Sequence, residues 1–468
     1  MDKEYLLALV AKALDELDDI HGDSVVTHPD ERASDMLAKL TIDEEGTPVD
    51  QVIFHLAQDI LPYRIHMEHK RTFAFIPSPV EDISYAADLL LAMNPTFGAS
   101  YLQGIGNLSA EECISRTFTR LAGFGEESFG VMVSGGSMGN FASVVMARDR
   151  VPIRRRGNLS AYASEETHSS IQKALRLAGA REGLLRKIPV KDDYTMDTEA
   201  LEAKITEDHA KGFIPFYICG NLGSTNTGAV DDFHEIGRIA AEHGLYFHID
   251  GAYGGAMLVM KDFARESGAY LADSISIDAH KWLGTSYVSS LLLAKKKSEL
   301  YGSFHTSAEY LTDADVPEGV NPWELTPEMT RPARAVKLYA VMKNLGLSGM
   351  RHKIAKNIAD AELFEKLLRN ERDVEIISPA HLAILNFRFA PEGFSEDEIR
   401  TLHQKISKHL LDWGYAMILT TTLKGMSVLR ICTISPKLTE NDIKDVVRAL
   451  VETKSLVLAG MLGDETEN

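Results

Sequence analysis

The 468-residue chain is 45% apolar and 25% charged, the balance of a globular protein, and its length allows two or three domains at roughly 100–200 residues each. Lys plus Arg number 49 against 68 Asp plus Glu, a net charge of -19, which argues against a nucleic-acid or anionic-membrane binder. Cys113, Cys219 and Cys432 are odd in number and form no CxxC pair. They argue against a disulfide framework or a cysteine-zinc site, and for a reducing compartment such as the cytoplasm.

Residues 1–80 read as an N-terminal helical segment. Its first twenty residues have apolar positions three and four apart, broken by acids, which is an amphipathic helix rather than a signal peptide. No window of about 18 apolar residues predicts a membrane span. Residues 81–345 form the large domain. From 129 onward, short apolar runs at 129–134, 159–164, 183–190, 214–220, 245–250, 274–278 and 289–295 are interleaved with amphipathic helices. That alternation predicts an α/β fold with a mostly parallel central sheet, covered on both faces. The stretch 304–330 is polar, holds three prolines and shows no period, so it predicts a long functional or mobile loop. Residues 346–468 predict a smaller α+β domain, with strands in "DVEIIS", "HLAILNFRF", "YAMILT" and "MSVLRICTI" and helices over 395–411 and 438–453.

Open parallel sheets bind ligands at the carboxyl ends of their strands, so the turns after the strands carry the functional signal. After 129–134 comes "GGSMGN" (135–140) and then a helix. Its glycines allow close backbone approach, the helix start supplies unpaired N–H groups, and Ser137 adds a donor, which suits a phosphate. The same residues also fit a tight turn with Ser137 as an N-cap. They match G-x-S-x-G too, the nucleophile elbow of a serine hydrolase, although no HGGG-type oxyanion motif precedes them. His168 follows the second strand, where a structural and a functional histidine are both open readings. "NLGSTNTGAVDD" (221–232) offers small hydroxylic residues before a helix capped by Asp231 or Asp232. Asp250 ends a very apolar strand, and a buried carboxylate needs a partner; Gly251 and Ala252 leave room beside it for something flat. His248 with Asp250, and His66 with His69, lack a third ligand at diagnostic spacing, so no metal is predicted.

"SISIDAHKWLG" (274–284) places Ile275 and Ile277 on one face, Ser274 and Ser276 on the other, and then delivers Asp278, His280 and Lys281 together. Alone, Lys281 reads as a solvated side chain. Beside a phosphate-type turn, a buried acid and a histidine, all at strand ends, it reads as a Schiff-base former. A lysine amine, a phosphate cradle and an acid for a ring nitrogen are what pyridoxal 5'-phosphate requires.

These motifs, in this order, resemble those of the group II pyridoxal-phosphate-dependent decarboxylases, the family of aromatic-amino-acid, histidine and glutamate decarboxylases. The resemblance runs from "HKRTFAFIPSP" (69–79) to "LRICTISPKLTENDI" (429–443) and includes "SGGSMGN", "ETHSSIQKALRLAG", "LGSTNTGAVDD", "FHIDGAYGG", "DAHKW" and "RPARAVKLY". It implies a fold-type-I, transferase-like architecture and a homodimer that decarboxylates an L-amino acid. In residue terms it implies that Lys281 holds the cofactor, Asp250 pairs with the ring nitrogen, His168 stacks on one ring face and Ala252 packs on the other. Gly136, Ser137 and His280 would hold the phosphate. Ser224 or Thr225 would contact the ring oxygen or the substrate carboxylate, and Phe75 and Ser78 would line the substrate pocket.

Two positions depart from the family pattern. Well-known members carry Asn where this chain has Asp278, a carboxylate set beside an expected phosphate. Aromatic decarboxylases also carry a loop tyrosine that protonates the substrate carbon. Alignment sets Val320 or Asn321 at that place, and Tyr310 is the only tyrosine in 304–330. Loss of that tyrosine accompanies oxidative deamination in related plant enzymes, so an aldehyde product stays open beside the amine. An apolar pocket entrance at Phe75 favours an aromatic substrate, and no arginine for an acidic one is placed by sequence.

Overall fold

Strands that are apolar on both faces need helices above and below them. The computed structural model, which describes residues 2–29, 32–179, 183–306 and 320–460, supplies both layers. The large sheet contains β1 (Phe129–Val133), β2 (Leu159–Ser164), β3 (Leu185–Ile188), β4 (Ile214–Asn221), β5 (Tyr246–Asp250), β6 (Ser274–Asp278) and β7 (Ser290–Ala294). Their order is β1-β7-β6-β5-β4-β2-β3. Strands β6, β5, β4, β2 and β3 pair in parallel, while β7 runs antiparallel to both β6 and β1. Each strand predicted from the apolar runs is present, with ends shifted by no more than about two residues.

The two sheet faces build two cores. Ile275 and Ile277 join Phe247, Ile249 and Met132 on one side. Val131, Val133, Leu292 and Tyr217 join the helix Gly136–Arg150 on the other. Ser274 and Ser276 point to that second side, where small side chains let the helix approach. A Cβ at Gly139 would lie 3.0 Å from Ser276 Cβ.

The smaller sheet is antiparallel, in the order β10-β11-β9-β8, with β8 (Val374–His381), β9 (Ile384–Phe389), β10 (Leu419–Leu423) and β11 (Met426–Cys432). Helices Glu396–Asp412 and Glu440–Leu458 each start from a capping box, Ser395 with Glu398 and Thr439 with Asp442. The run "YAMILT" does not become a strand at its start. The Met417 N–H donates to Arg71 O (3.0 Å) and Phe73 N–H donates to Met417 O (2.9 Å), so the segment near residue 72 satisfies this backbone before β10 begins. The expected junction near 345 falls inside the long helix Ala335–Leu368, where Gly346, at a φ of 63°, interrupts the helical backbone.

Two buried polar groups tie these layers together. Arg331 is fully buried and donates through Nη2 to both oxygens of Glu111, at 2.7 and 2.5 Å, while Glu111 Oε1 also accepts from the Met132 N–H of β1. His248, in the middle of β5, is fully buried between Ser274 Oγ (2.8 Å) and Asn140 Oδ1 (2.9 Å). Burial lowers its pKa to about 4.

Removing one partner of a buried pair strands the other charge. Glu111→Ala is therefore expected to destabilise the protein by about 3–5 kcal/mol in denaturant unfolding. A second expectation concerns acid. The unfolded chain protonates His248 below its ordinary value of 6.5, while the folded chain does not until about 4. Stability from this group is thus complete above 6.5 and is lost as pH falls towards 4, by about 3 kcal/mol at ~1.4 kcal/mol per unit. His66 and His403, also lowered to about 4, act in the same direction. The flatter pH profile of His248→Gln relative to the parent isolates its share.

Candidate active site

The carboxyl ends of β1, β2, β4, β5 and β6 converge on one cavity of about 340 Å³. It brings together Gly136, Ser137, His168, Ser224, Thr225, Asp250, Ala252, Asp278, His280 and Lys281, all anticipated from the sequence. The inserted antiparallel strand matters here. β7 starts with Ser290, which pairs in register with both Val133 of β1 and Asp278 of β6, so its beginning lies at the same rim.

The helix Gly136–Arg150 opens onto the cavity with Gly135 as N-cap and no side chain capping it. Its first N–H groups are thus presented to a ligand rather than to the chain. Gly136 is required by close packing, because a Cβ there would sit 2.9 Å from Ala252 Cβ and 3.0 Å from Asp278 Oδ2. Ser137 is exposed. Among the described residues, no hydrogen bond joins Ser137 Oγ to either of the cavity's histidines, whose Nδ1 atoms pair with Ser170 (2.8 Å) and Ser289 O (2.8 Å). A hydrolase triad on Ser137 is therefore not formed among the described residues.

Lys281 Nζ lies 3.0 Å from Asp278 Oδ2, and His280 Nε2 lies 3.8 Å from the same oxygen. Burial pushes the Asp278 carboxyl up, but the charges of Lys281 and His280 and the hydrogen bond from Ser290 outweigh it and hold it below the usual range. Burial lowers His280 despite that neighbouring carboxylate. The carboxylate that looked misplaced beside a phosphate is thus the partner of the lysine. Behind it, Trp282 stacks on Tyr253 at 5.1 Å and donates to Asn357, which fixes the backbone that carries Lys281.

Asp250 is buried. Its Oδ2 accepts from Asn140 Nδ2 at 2.8 Å and its Oδ1 from the Ala252 N–H at 3.1 Å. Of the two hydroxyls proposed for the next loop, Ser224 Oγ is engaged with Thr227 (2.7 Å), which leaves Thr225 as the free hydroxyl lining the cavity. The helix cap is Asp232. Asp231 is instead buried, accepting from the N–H groups of Asn221 and Met196, and burial raises its pKa to about 6.

Three expectations are not met in the cavity. Phe75 is 57% exposed at a φ of 52° and does not line it. Ser78 is buried and donates to the backbone oxygen of His280 at 2.5 Å, so it braces the site from behind. Val320 packs beside Phe129, and Asn321 accepts from the Tyr101 N–H at the start of a helix. Both belong to the framework, and Tyr310 lies outside the described residues. Sequence reasoning passed over Asn140 and Ser170, which line the cavity between Asp250 and His168. The available signal was spacing: Asn140 lies three residues after Ser137, on the same side of a helix. Among the described residues, no group of three or more His, Cys, Asp or Glu is placed to hold a metal ion.

The donor set fits a phosphorylated pyridine aldehyde: an amine, a helix start free of side-chain caps, and an anchored carboxylate. The family model for the pyridoxal-dependent decarboxylase conserved domain matches residues 31–390. An aromatic-L-amino-acid decarboxylase from Bacillus atrophaeus is 32% identical over 433 residues, covering 90% of each chain. A phenylacetaldehyde synthase from Arabidopsis thaliana is 27% identical over 428 residues, covering 88% of this chain and 87% of its own. The crystal structure of Oryza sativa TDC with PLP and tryptamine matches the fold with a TM-score of 0.91 at 24% identity, over 98% of this chain and 99% of that one. The chain therefore belongs to the pyridoxal-dependent decarboxylases, fold-type-I lyases that use pyridoxal phosphate to remove carbon dioxide from an amino acid.

Proposed function

We propose that this chain converts an aromatic L-amino acid into its amine and carbon dioxide, as a cytoplasmic homodimer. The observation that carries the reading is the composition of the cavity. Lys281, His280 and a bare helix start stand with the anchored Asp250, and among the described residues no arginine lines the cavity to receive an acidic side chain. The names of the relatives, aromatic-amino-acid and tryptophan decarboxylases among them, support the same substrate class.

Pyridoxal phosphate, when bound, supplies an electron-accepting ring for the bonding pair left by carbon dioxide. Lys281 would hold the group through Nζ, and Asp278, 3.0 Å from that nitrogen, is placed to pair with the amine when it is not so engaged. Gly136, Ser137 and His280 would bind the phosphate. Asp250 would keep a proton on the ring nitrogen. His168 and Ala252 would cover the ring faces and exclude water. Thr225, with its hydroxyl free, orients the substrate carboxylate or the ring oxygen. The aldehyde alternative rests on the absence of a tyrosine at Val320 or Asn321, and the product measured from each substrate separates it from the amine.

The homodimer is supported by apolar surface. Leu90 is 71% exposed, Leu102 62% and Ile105 60%, and Leu37 and Phe75 are exposed in the same N-terminal quarter of the chain. Exposed apolar side chains of this size are what a subunit interface would cover. A second copy is the occupant the family resemblance implies, and Phe75 is then assigned to the assembled dimer. The cytoplasm is supported by three free cysteines, and no helix among the described residues is long and apolar enough to cross a membrane.

The holoenzyme is expected to be yellow and to release amine and carbon dioxide in equal amounts from tryptophan, tyrosine or phenylalanine in a panel of amino acids. Aldehyde with hydrogen peroxide in place of amine, or turnover of acidic substrates only, is the result that overturns this reading. Lys281→Ala should be colourless after dialysis, inactive and unlabelled by borohydride. Leu90→Glu combined with Leu102→Glu should shift the mass in analytical ultracentrifugation from dimer to monomer.

A further inference from the structure

The Asn140 carboxamide is 1% exposed and uses its whole hydrogen-bonding capacity. Nδ2 reaches Asp250 Oδ2 (2.8 Å) and Ser170 Oγ (2.9 Å), and Oδ1 faces Ser276 Oγ (2.8 Å) and His248 Nε2 (2.9 Å). Its orientation follows from one fact. An ionised carboxylate only accepts, so the amide nitrogen must face Asp250. The amide oxygen then faces His248, which must carry its proton on Nε2, with Nδ1 accepting from Ser274 Oγ (2.8 Å).

The same logic runs the other way. Ser170 Oγ accepts from Asn140, so its own proton goes to His168 Nδ1 (2.8 Å), which the Ser170 N–H also approaches (3.2 Å). Two donors on Nδ1 place the His168 proton on Nε2. One buried carboxamide therefore orients the acid and fixes the tautomer of the imidazole.

We propose that Asn140 is a positioning residue for the reaction: its amide aims the Asp250 carboxyl group at the cofactor ring nitrogen and, through Ser170, orients His168. This rests on Asp250 serving the ring nitrogen. His248, Ser274 and Ser276 form the support behind the amide, and they reach the cofactor only through it.

Asn140→Asp is nearly isosteric, but it sets a second carboxyl against Asp250 at hydrogen-bond distance, where two carboxylates share one proton. Asn140→Ala removes the donor altogether. Both variants draw the proton from the ring nitrogen towards the acid, so either one, if only one folds, carries the test. The holoenzymes are reconstituted with pyridoxal phosphate labelled with 15N in the ring, and the nitrogen chemical shift, cofactor affinity and kcat against KM are measured. The parent should show a protonated ring nitrogen. The variants should show a shift towards the unprotonated form, about tenfold or greater loss of cofactor affinity, and a fall in kcat larger than any change in KM. A protonated nitrogen and unchanged affinity in the variants, with only the melting temperature lowered, overturns the inference and makes Asn140 structural. An unprotonated nitrogen in the parent overturns the role given to Asp250, and the inference with it.

Discussion

A carboxylate at the end of a buried strand keeps its charge only if the protein supplies the hydrogen bonds that water would have given. Asp250 ends β5, in the middle of the large sheet, and receives two: one from the Ala252 N–H in its own turn and one from Asn140 on the helix packed against the sheet. The second donor is itself held by His248, Ser276 and Ser170. Serines at 274 and 276 in a central strand, a neutral histidine at 248 and an asparagine in the first turns of a helix are unusual choices for a core. All four serve the same carboxylate.

The approach of that helix to the sheet has a second consequence. Gly136 and Gly139 remove the side chains that would hold the helix away from Ala252, Asp278 and Ser276. The helix start therefore reaches the cavity with its N–H groups bare, close to the acid and the lysine. The bare helix start and the donor to Asp250 come from one packing arrangement, since Asn140 and Gly136 lie one turn apart on the same helix.

The lysine is handled differently. Lys281 follows β6 in a turn braced from behind by Trp282, by Ser78 and by Glu81, whose N–H donates to Gly284 O. Asp278 sits in front of it with Ser290, the first residue of the antiparallel strand β7. The ammonium thus has a resting partner inside the site, and the departure from the family's asparagine at this position has a physical meaning.

Much of this was legible in the chain. The apolar runs predicted each strand of the large sheet because a strand buried on both faces tolerates little but apolar and small residues. The strand-end rule then drew Lys281, Asp250, His168 and the glycine turn into one site. Less was legible at the edges. "YAMILT" looked like a strand throughout, but Met417 takes its hydrogen bonds from a segment some 345 residues earlier, a pairing no local pattern encodes. Phe75 and Ser78 were assigned to the pocket from a motif, yet one is exposed and the other faces backbone. The amino-acid sequence by itself determined the fold class, the cofactor chemistry and most of the residues that line the cavity, because periodicity and turn chemistry are local. Only the tertiary structure decided which hydroxyl is free, what Asp278 holds and why Asn140 is needed. Those answers depend on which donor and which acceptor meet across elements distant in sequence, and buried polar groups must be satisfied wherever the packing leaves them.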